Sequence, residues 1–108
     1  RQRVGIARAL PGDARLLLMD EPLASLDAFN KEHIQGLFLD LWRARGHTQV
    51  LVTHDREEAV FLGQRIVVLS PRPARVRAEL DNPEVGQPDW RNSAGFYERV
   101  RELRGVLQ

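Results

Sequence analysis

The chain has 108 residues, 43% of them apolar and 29% charged, with a formal net charge of +1 and no cysteine. That is enough for one small domain or a piece of a larger one, and too apolar for a disordered segment. The charge gives no global pull toward nucleic acid or anionic lipid, the missing cysteines exclude disulfides and thiolate metal sites, and no apolar run reaches the about 20 residues of a spanning helix.

Residues Arg1 to Leu10 read as a helix with Val4, Ile6, Ala7 and Leu10 as its apolar positions, stopped by Pro11 and Gly12. The chain opens on Arg1 as if in mid-helix, so we expect a truncated chain whose missing leader says little. Arg15 to Met19 is a short, continuously apolar run that suits a strand covered on both faces, as in a parallel sheet. A loop follows from Asp20 to Leu26. Asp27 is placed to cap a helix running to about Arg45, with Ile34, Leu37, Phe38, Leu41 and Trp42 on one face and Gly46 as its stop. Thr48 to Thr53 reads as a strand, Asp55 to Leu62 as a short helix, and Arg65 to Leu69 as another strand. This alternation is the signature of an α/β fold. After Ser70 the texture changes. A proline turn, a weak edge strand over Arg75 to Leu80, a loop from Asp81 to Pro88 and an amphipathic helix from Ser93 to Leu107 complete the chain. The helix shows Phe96, Val100, Leu103 and Leu107 on its apolar face.

The chemistry begins where the first apolar run ends, at Asp20 and Glu21. In α/β sheets, ligands sit at the carboxyl ends of strands. A carboxylate there can hold magnesium, and a second can orient and deprotonate an attacking water. Taken alone, the pair is equally a buried strand ending in solvated acids. Ala24-Ser25-Leu26-Asp27, taken alone, is a loop and a helix cap. His54, ending Val52-Thr53-His54, taken alone is a surface or structural histidine. Neighbouring strand ends in a parallel sheet lie about 5 Å apart, however, which puts His54 within reach of a phosphate served by Asp20 and Glu21.

Together these segments, in this order and spacing, resemble the ATP-binding-cassette (ABC) ATPase family. Arg1-Gln2-Arg3-Val4-Gly5-Ile6-Ala7-Arg8-Ala9-Leu10 is similar to the helix following the family's signature motif. Leu16 to Glu21 resembles Walker B, Ala24 to Asp27 the D-loop, and His54 the switch histidine. The resemblance is close from Arg1 to about Ser70 and looser beyond. It implies an α/β fold, the C-terminal part of a P-loop NTPase domain with a mainly parallel sheet flanked by helices. Residues 1–108 would form part of one such domain, with 1–70 carrying the Walker B to switch-histidine region and 71–108 the edge strand, loop and terminal helix.

By the same resemblance, Asp20 would help hold Mg²⁺ and Glu21 would be the general base. His54 would contact the γ-phosphate of ATP. Ser25, Leu26 and Asp27 would face a second ATPase subunit, in a homodimer. Thr53-His54-Asp55-Arg56-Glu57-Glu58-Ala59 is of importer style. Arg65 to Ser70 with Pro71-Arg72-Pro73 is similar to the ATPase subunits of nitrate, sulfonate and taurine importers. That implies permease subunits and, indirectly, a periplasmic solute-binding protein as partners, no nucleic acid, and a peripheral place on the cytoplasmic face of the inner membrane. Two other readings stay open: a soluble, non-transport ABC ATPase, and a non-catalytic interaction module of the same fold. No glycine-rich G-x-x-x-x-G-K-[ST] phosphate loop occurs in the 108 residues, and Lys31, the only lysine, is not in a glycine-rich setting. The chain by itself is therefore expected to be inactive. Phosphate release by the purified 108-residue chain, expected at background, checks this.

Overall fold

Between Gly12 and Pro22 the run Leu16-Leu17-Leu18-Met19 is too short for helical turns, and it forms strand β2 (Leu16–Asp20). The computed structural model describes residues 5–6 (backbone only), 16–71, 73 and 75–107. Contacts divide the chain into two compact units, Arg1–His54 and Asp55–Gln108.

In the first unit, β2 is followed by helix α1 (Ala28–Arg45) and strand β3 (Thr48–Val52). β3 lies parallel to β2, in register from Leu16↔Thr48 to Asp20↔Val52. Parallel neighbours need a crossover, and α1 supplies it. Gly46 ends α1 in the left-handed region (φ 65°), and its N–H donates to the Trp42 carbonyl at 2.7 Å. Glycine adopts that conformation without a Cβ penalty. On the other edge of β2 lies strand β1 (Gly5–Ile6), antiparallel, with Gly5↔Asp20 and Ile6↔Met19. This corrects the expected helix at Gly5 and Ile6; the remainder of that helix lies outside the described residues. An edge strand carries a row of unpaired N–H and C=O groups, and a short extended segment satisfies them.

Two further expectations for this unit change. Among the described residues β2 is covered on one face: Met19 is 2% exposed, while Leu16 and Leu18 are 40% and 44% exposed. On β3, Val50, the register partner of Leu18, and Val52, that of Asp20, are open as well. One crossover helix has one apolar side to offer a sheet. The buried positions of α1 are Gln35 and Leu39, whereas Leu37 is exposed and Ile34, Phe38, Leu41 and Trp42 are half-buried. The buried line is therefore turned by about one residue from the apolar stripe read in the sequence.

The second unit holds α2 (Arg56–Leu62), β4 (Arg65–Leu69), β5 (Val76–Asp81), a 3-10 turn (Trp90–Asn92) and α3 (Ala94–Leu107). β4 and β5 pair antiparallel, Arg65↔Asp81 to Leu69↔Val76. The link between them is too short for a crossover, so only antiparallel pairing is open to it. Ser70 stitches that link: its hydroxyl donates to the Pro73 carbonyl (3.0 Å) and accepts from the Arg75 N–H (3.1 Å). The fold is thus α/β, but sheet pairing among the described residues is not mainly parallel. One pair is parallel and two are antiparallel.

Along β4 burial alternates, with Ile66 and Val68 inward, joined from β5 by Leu80. Val60, Phe61, Val85, Trp90, Phe96, Val100 and Leu103 complete the buried large apolar side chains of this unit among the described residues. Trp90 and Phe96 meet edge to face at 5.5 Å, the arrangement their quadrupoles favour. Arg91 lies 3.9 Å over the Phe61 ring.

The segment read as a loop over Asp81 to Pro88 contains a fully buried polar side chain, Asn82. Its Nδ2 donates to the carbonyls of Val60 (2.7 Å) and Gly63 (2.8 Å), and its backbone N–H donates to Gln64 (2.7 Å). Trp90 Nε1 also donates to Val60 (3.3 Å). Val60 lies in the last turn of α2, Gly63 is its C-cap and Gln64 follows, so Asn82 and Trp90 serve carbonyls at and just past an end that the helix cannot satisfy internally. Asn82→Ala takes the side-chain donor from the Gly63 carbonyl and leaves Val60 the longer Trp90 bond, and is expected to destabilise the chain by about 2 kcal/mol. Urea unfolding of the wild-type and variant chains measures it.

Candidate functional site

β2 and β3 run parallel, so their carboxyl ends lie at the same end of the sheet. The residues leaving those ends are Asp20-Glu21 and Thr53-His54. The Glu21 N–H donates to the Val52 carbonyl at 2.7 Å, carrying main-chain pairing one step beyond β2. Glu21 itself has φ 46°, in the left-handed region. For an L-residue with a Cβ this conformation costs about 1–2 kcal/mol, and such residues concentrate at functional sites. The next turn is closed by the Ala24 N–H on the Glu21 carbonyl (3.3 Å), and another by Leu26 on Leu23 (3.1 Å). Pro22 and Leu23 are buried beneath these turns, while Ala24, Ser25, Leu26 and Asp27 are exposed.

The turn directs Glu21 toward the neighbouring strand end. His54 Nε2 lies 2.9 Å from Glu21 Oε2, at hydrogen-bond distance. The Glu21 side chain is 26% exposed and that of His54 87%. A pair this open to water contributes under about 1 kcal/mol to stability, so its consequence is orientation rather than cohesion. It presents a sheltered carboxylate, an adjoining imidazole and open solvent beside both. That is the equipment for taking a proton from a water molecule and handing a hydrogen bond to an anion. Asp20 sits half-buried at the end of β2 and is itself engaged in the structure.

The residues predicted for the site thus divide. Glu21 and His54 are brought into contact, and Asp20 adjoins them in the chain. Ser25 and Leu26 lie on the exposed loop. Asp27 is committed to α1: its Oδ1 accepts the Asn30 N–H (2.8 Å), its Oδ2 the Asn30 side chain (3.2 Å), and its carbonyl the Lys31 N–H (2.9 Å). Among the described residues no group of three or more His, Cys, Asp or Glu gathers as a metal cage. A magnesium ion carried in with phosphates needs less, one or two carboxylates with the remaining ligands from phosphate and water, and the hard oxygens of Asp20 fit that requirement. The left-handed backbone at Glu21 has no sign in the sequence, since the proline that follows favours an extended residue before it. Asp27→Ala removes the cap of α1 and is expected to cost about 1 kcal/mol, with Asp27→Asn losing less. Denaturant unfolding of the two variants checks the order.

No protein-family model matches the chain. Curated relatives do. It is 58% identical over 78 residues to the taurine import ATP-binding protein TauB of Burkholderia pseudomallei (strain 1710b), a match covering 72% of this chain and 30% of the relative. It is 55% identical over 80 residues to the protein of the same name from Escherichia coli O6:H1, covering 74% and 31%. The Ruegeria pomeroyi protein of that name is 49% identical over 83 residues, covering 77% and 31%. The chain therefore spans under a third of the length of these relatives. Over the matched span, the chain belongs to the family of ATP-binding subunits of ABC importers.

Proposed function

We propose that this chain is part of the ATP-hydrolysing subunit of an ABC importer of the nitrate, sulfonate and taurine type, and that the complete protein couples ATP hydrolysis to solute uptake. The observation that carries the reading is the 2.9 Å approach of His54 to Glu21 at the shared carboxyl end of two parallel strands. The names of the relatives, taurine import ATP-binding proteins, support the solute class. In this reading residues 1–108 belong to one P-loop NTPase domain whose full sheet is mainly parallel. The phosphate-binding loop is supplied by the rest of that domain.

Hydrolysis needs a water aligned with the terminal phosphoryl group and relieved of a proton as it attacks. Glu21 accepts that proton as the new oxygen–phosphorus bond forms and the bond to the bridging oxygen breaks, leaving ADP and inorganic phosphate. His54, held against Glu21 on one side and open on the other, contacts the γ-phosphate and keeps water and nucleotide in register. Asp20 is the residue that would hold Mg²⁺, which when bound neutralises phosphate charge. The exposed Ser25 and Leu26, with Asp27 at the helix start, face a second copy of the subunit. Permease subunits anchor the pair at the cytoplasmic face of the membrane, and a solute-binding protein acts through them. No described helix is long and apolar enough to cross a membrane.

The test is made in the full-length protein. Glu21→Gln is expected to bind ATP with wild-type affinity and to hydrolyse it roughly 100-fold more slowly or worse, as loss of a general base requires. His54→Ala is expected to behave likewise. Phosphate release together with equilibrium ATP binding measures both, and wild-type turnover in Glu21→Gln overturns the assignment of the base.

A further inference from the structure

We infer that Asp27 is a positioning residue for the exposed loop Ala24 to Leu26, and that it acts through the start of α1 and not by meeting a partner with its charge. The inference rests on the reading that this loop faces a second copy of the subunit. The loop leaves the site over buried Pro22 and Leu23. Its near end is held by two turns, the Ala24 N–H on the Glu21 carbonyl (3.3 Å) and the Leu26 N–H on the Leu23 carbonyl (3.1 Å). At its far end Leu26 runs directly into Asp27, the N-cap of α1.

Asp27 has an extended backbone (φ −72°, ψ 170°), so its carboxylate folds back over the first helical turn. Oδ1 accepts the Asn30 N–H at 2.8 Å, Oδ2 accepts the Asn30 side-chain amide at 3.2 Å, and the carbonyl accepts the Lys31 N–H at 2.9 Å. Both carboxylate oxygens are thus engaged by the residue's own helix, and that helix is seated by buried Gln35 and Leu39. Without the cap the Asn30 N–H must turn to water, the first turn frays, and Leu26 loses its fixed point. Ser25 and Leu26 then sample several poses, and association has to select one of them, which weakens it. The two possible roles of Asp27 differ in chemistry. A cap needs an acceptor oxygen on a short side chain: Asn and Ser serve as well as Asp, and Glu is not among the favoured caps. A charge that meets the partner needs a carboxylate, which Glu keeps and Asn and Ser lack.

The experiment uses the full-length protein carrying Glu21→Gln, which is expected to bind ATP and turn it over slowly. Sedimentation velocity reads its ATP-dependent self-association, beside equilibrium ATP binding and amide hydrogen exchange over residues 24–31. Asp27→Asn and Asp27→Ser are expected to associate as the parent does. Asp27→Ala and Asp27→Glu are expected to associate about tenfold more weakly, since both copies lose a cap, with ATP affinity unchanged and faster exchange over the loop. Ser93→Ala is the control for general stability: it removes the acceptor of the Phe96 N–H (3.1 Å) at the start of α3, and association is expected to stay as in the parent. Should Asp27→Ala not fold, Asp27→Glu against Asp27→Asn carries the same comparison. Association kept in Asp27→Glu and lost in Asp27→Asn and Asp27→Ser overturns the inference in favour of a charge contact. Parent-like association in Asp27→Ala also sinks it, as does an equal loss in Ser93→Ala. A parent that stays monomeric with ATP refutes the second-copy reading, and the inference falls with it.

Discussion

The parallel register of β2 and β3, from Leu16↔Thr48 to Asp20↔Val52, is the constraint on which the rest of the site depends. Antiparallel pairing would send Glu21 and His54 to opposite ends of the sheet, about 17 Å apart for strands of this length. Parallel pairing sends them to one end, and the additional bond from the Glu21 N–H to Val52 keeps the strands in step just past their last paired residues. A slip of one residue would turn every side chain of β3 to the other face and draw His54 away. The contact between a carboxylate and an imidazole is weak as a source of stability, but main-chain bonds that are strong collectively hold its two ends.

The second unit solves a different problem. α2 is too short to stand by itself, and its N-terminal N–H groups and C-terminal carbonyls both need partners. Asp55 meets the first end, accepting the Glu58 N–H at 3.1 Å. Asn82 and Trp90 meet the second from a stretch of chain that looks like plain turn. Gly63 fits the same junction for steric reasons: a Cβ there would come within 2.8 Å of the Ala59 carbonyl. A buried amide used in this way is specific, since no apolar side chain of its size can donate to two carbonyls at once.

Much of this was legible in the sequence. Asp27 before Ala28 and Gly46 after Arg45 bracket α1 because capping chemistry is local: a side-chain oxygen reaches an N–H three residues on, and glycine tolerates the left-handed stop. β4 matches its expected bounds, Arg65 to Leu69, because a β-branched run between turn formers has one good local solution. Asp20, Glu21 and His54 were readable as a candidate site from their order, and Ser25, Leu26 and Asp27 from their place in the loop. Other features were not. Gln35 rather than Leu37 is buried in α1, because burial follows the neighbour a helix meets and not the richness of its own stripe. Met19 is covered and Leu18 is open, although the two read alike, because alternation along a strand assigns faces only once a covering layer exists.

By itself, then, the sequence determined the main helices and strands from Leu16 onward, the caps of α1 and the α/β alternation, which rest on interactions spanning a few residues, and it named the candidate catalytic side chains by their order along the chain. Only the tertiary structure decided that β5 returns antiparallel on β4, that Asn82 closes α2, and that Glu21 turns through a left-handed backbone to meet His54. Those outcomes depend on which distant groups become neighbours, and a hydrogen bond between residues 21 and 54 leaves no mark in either local segment.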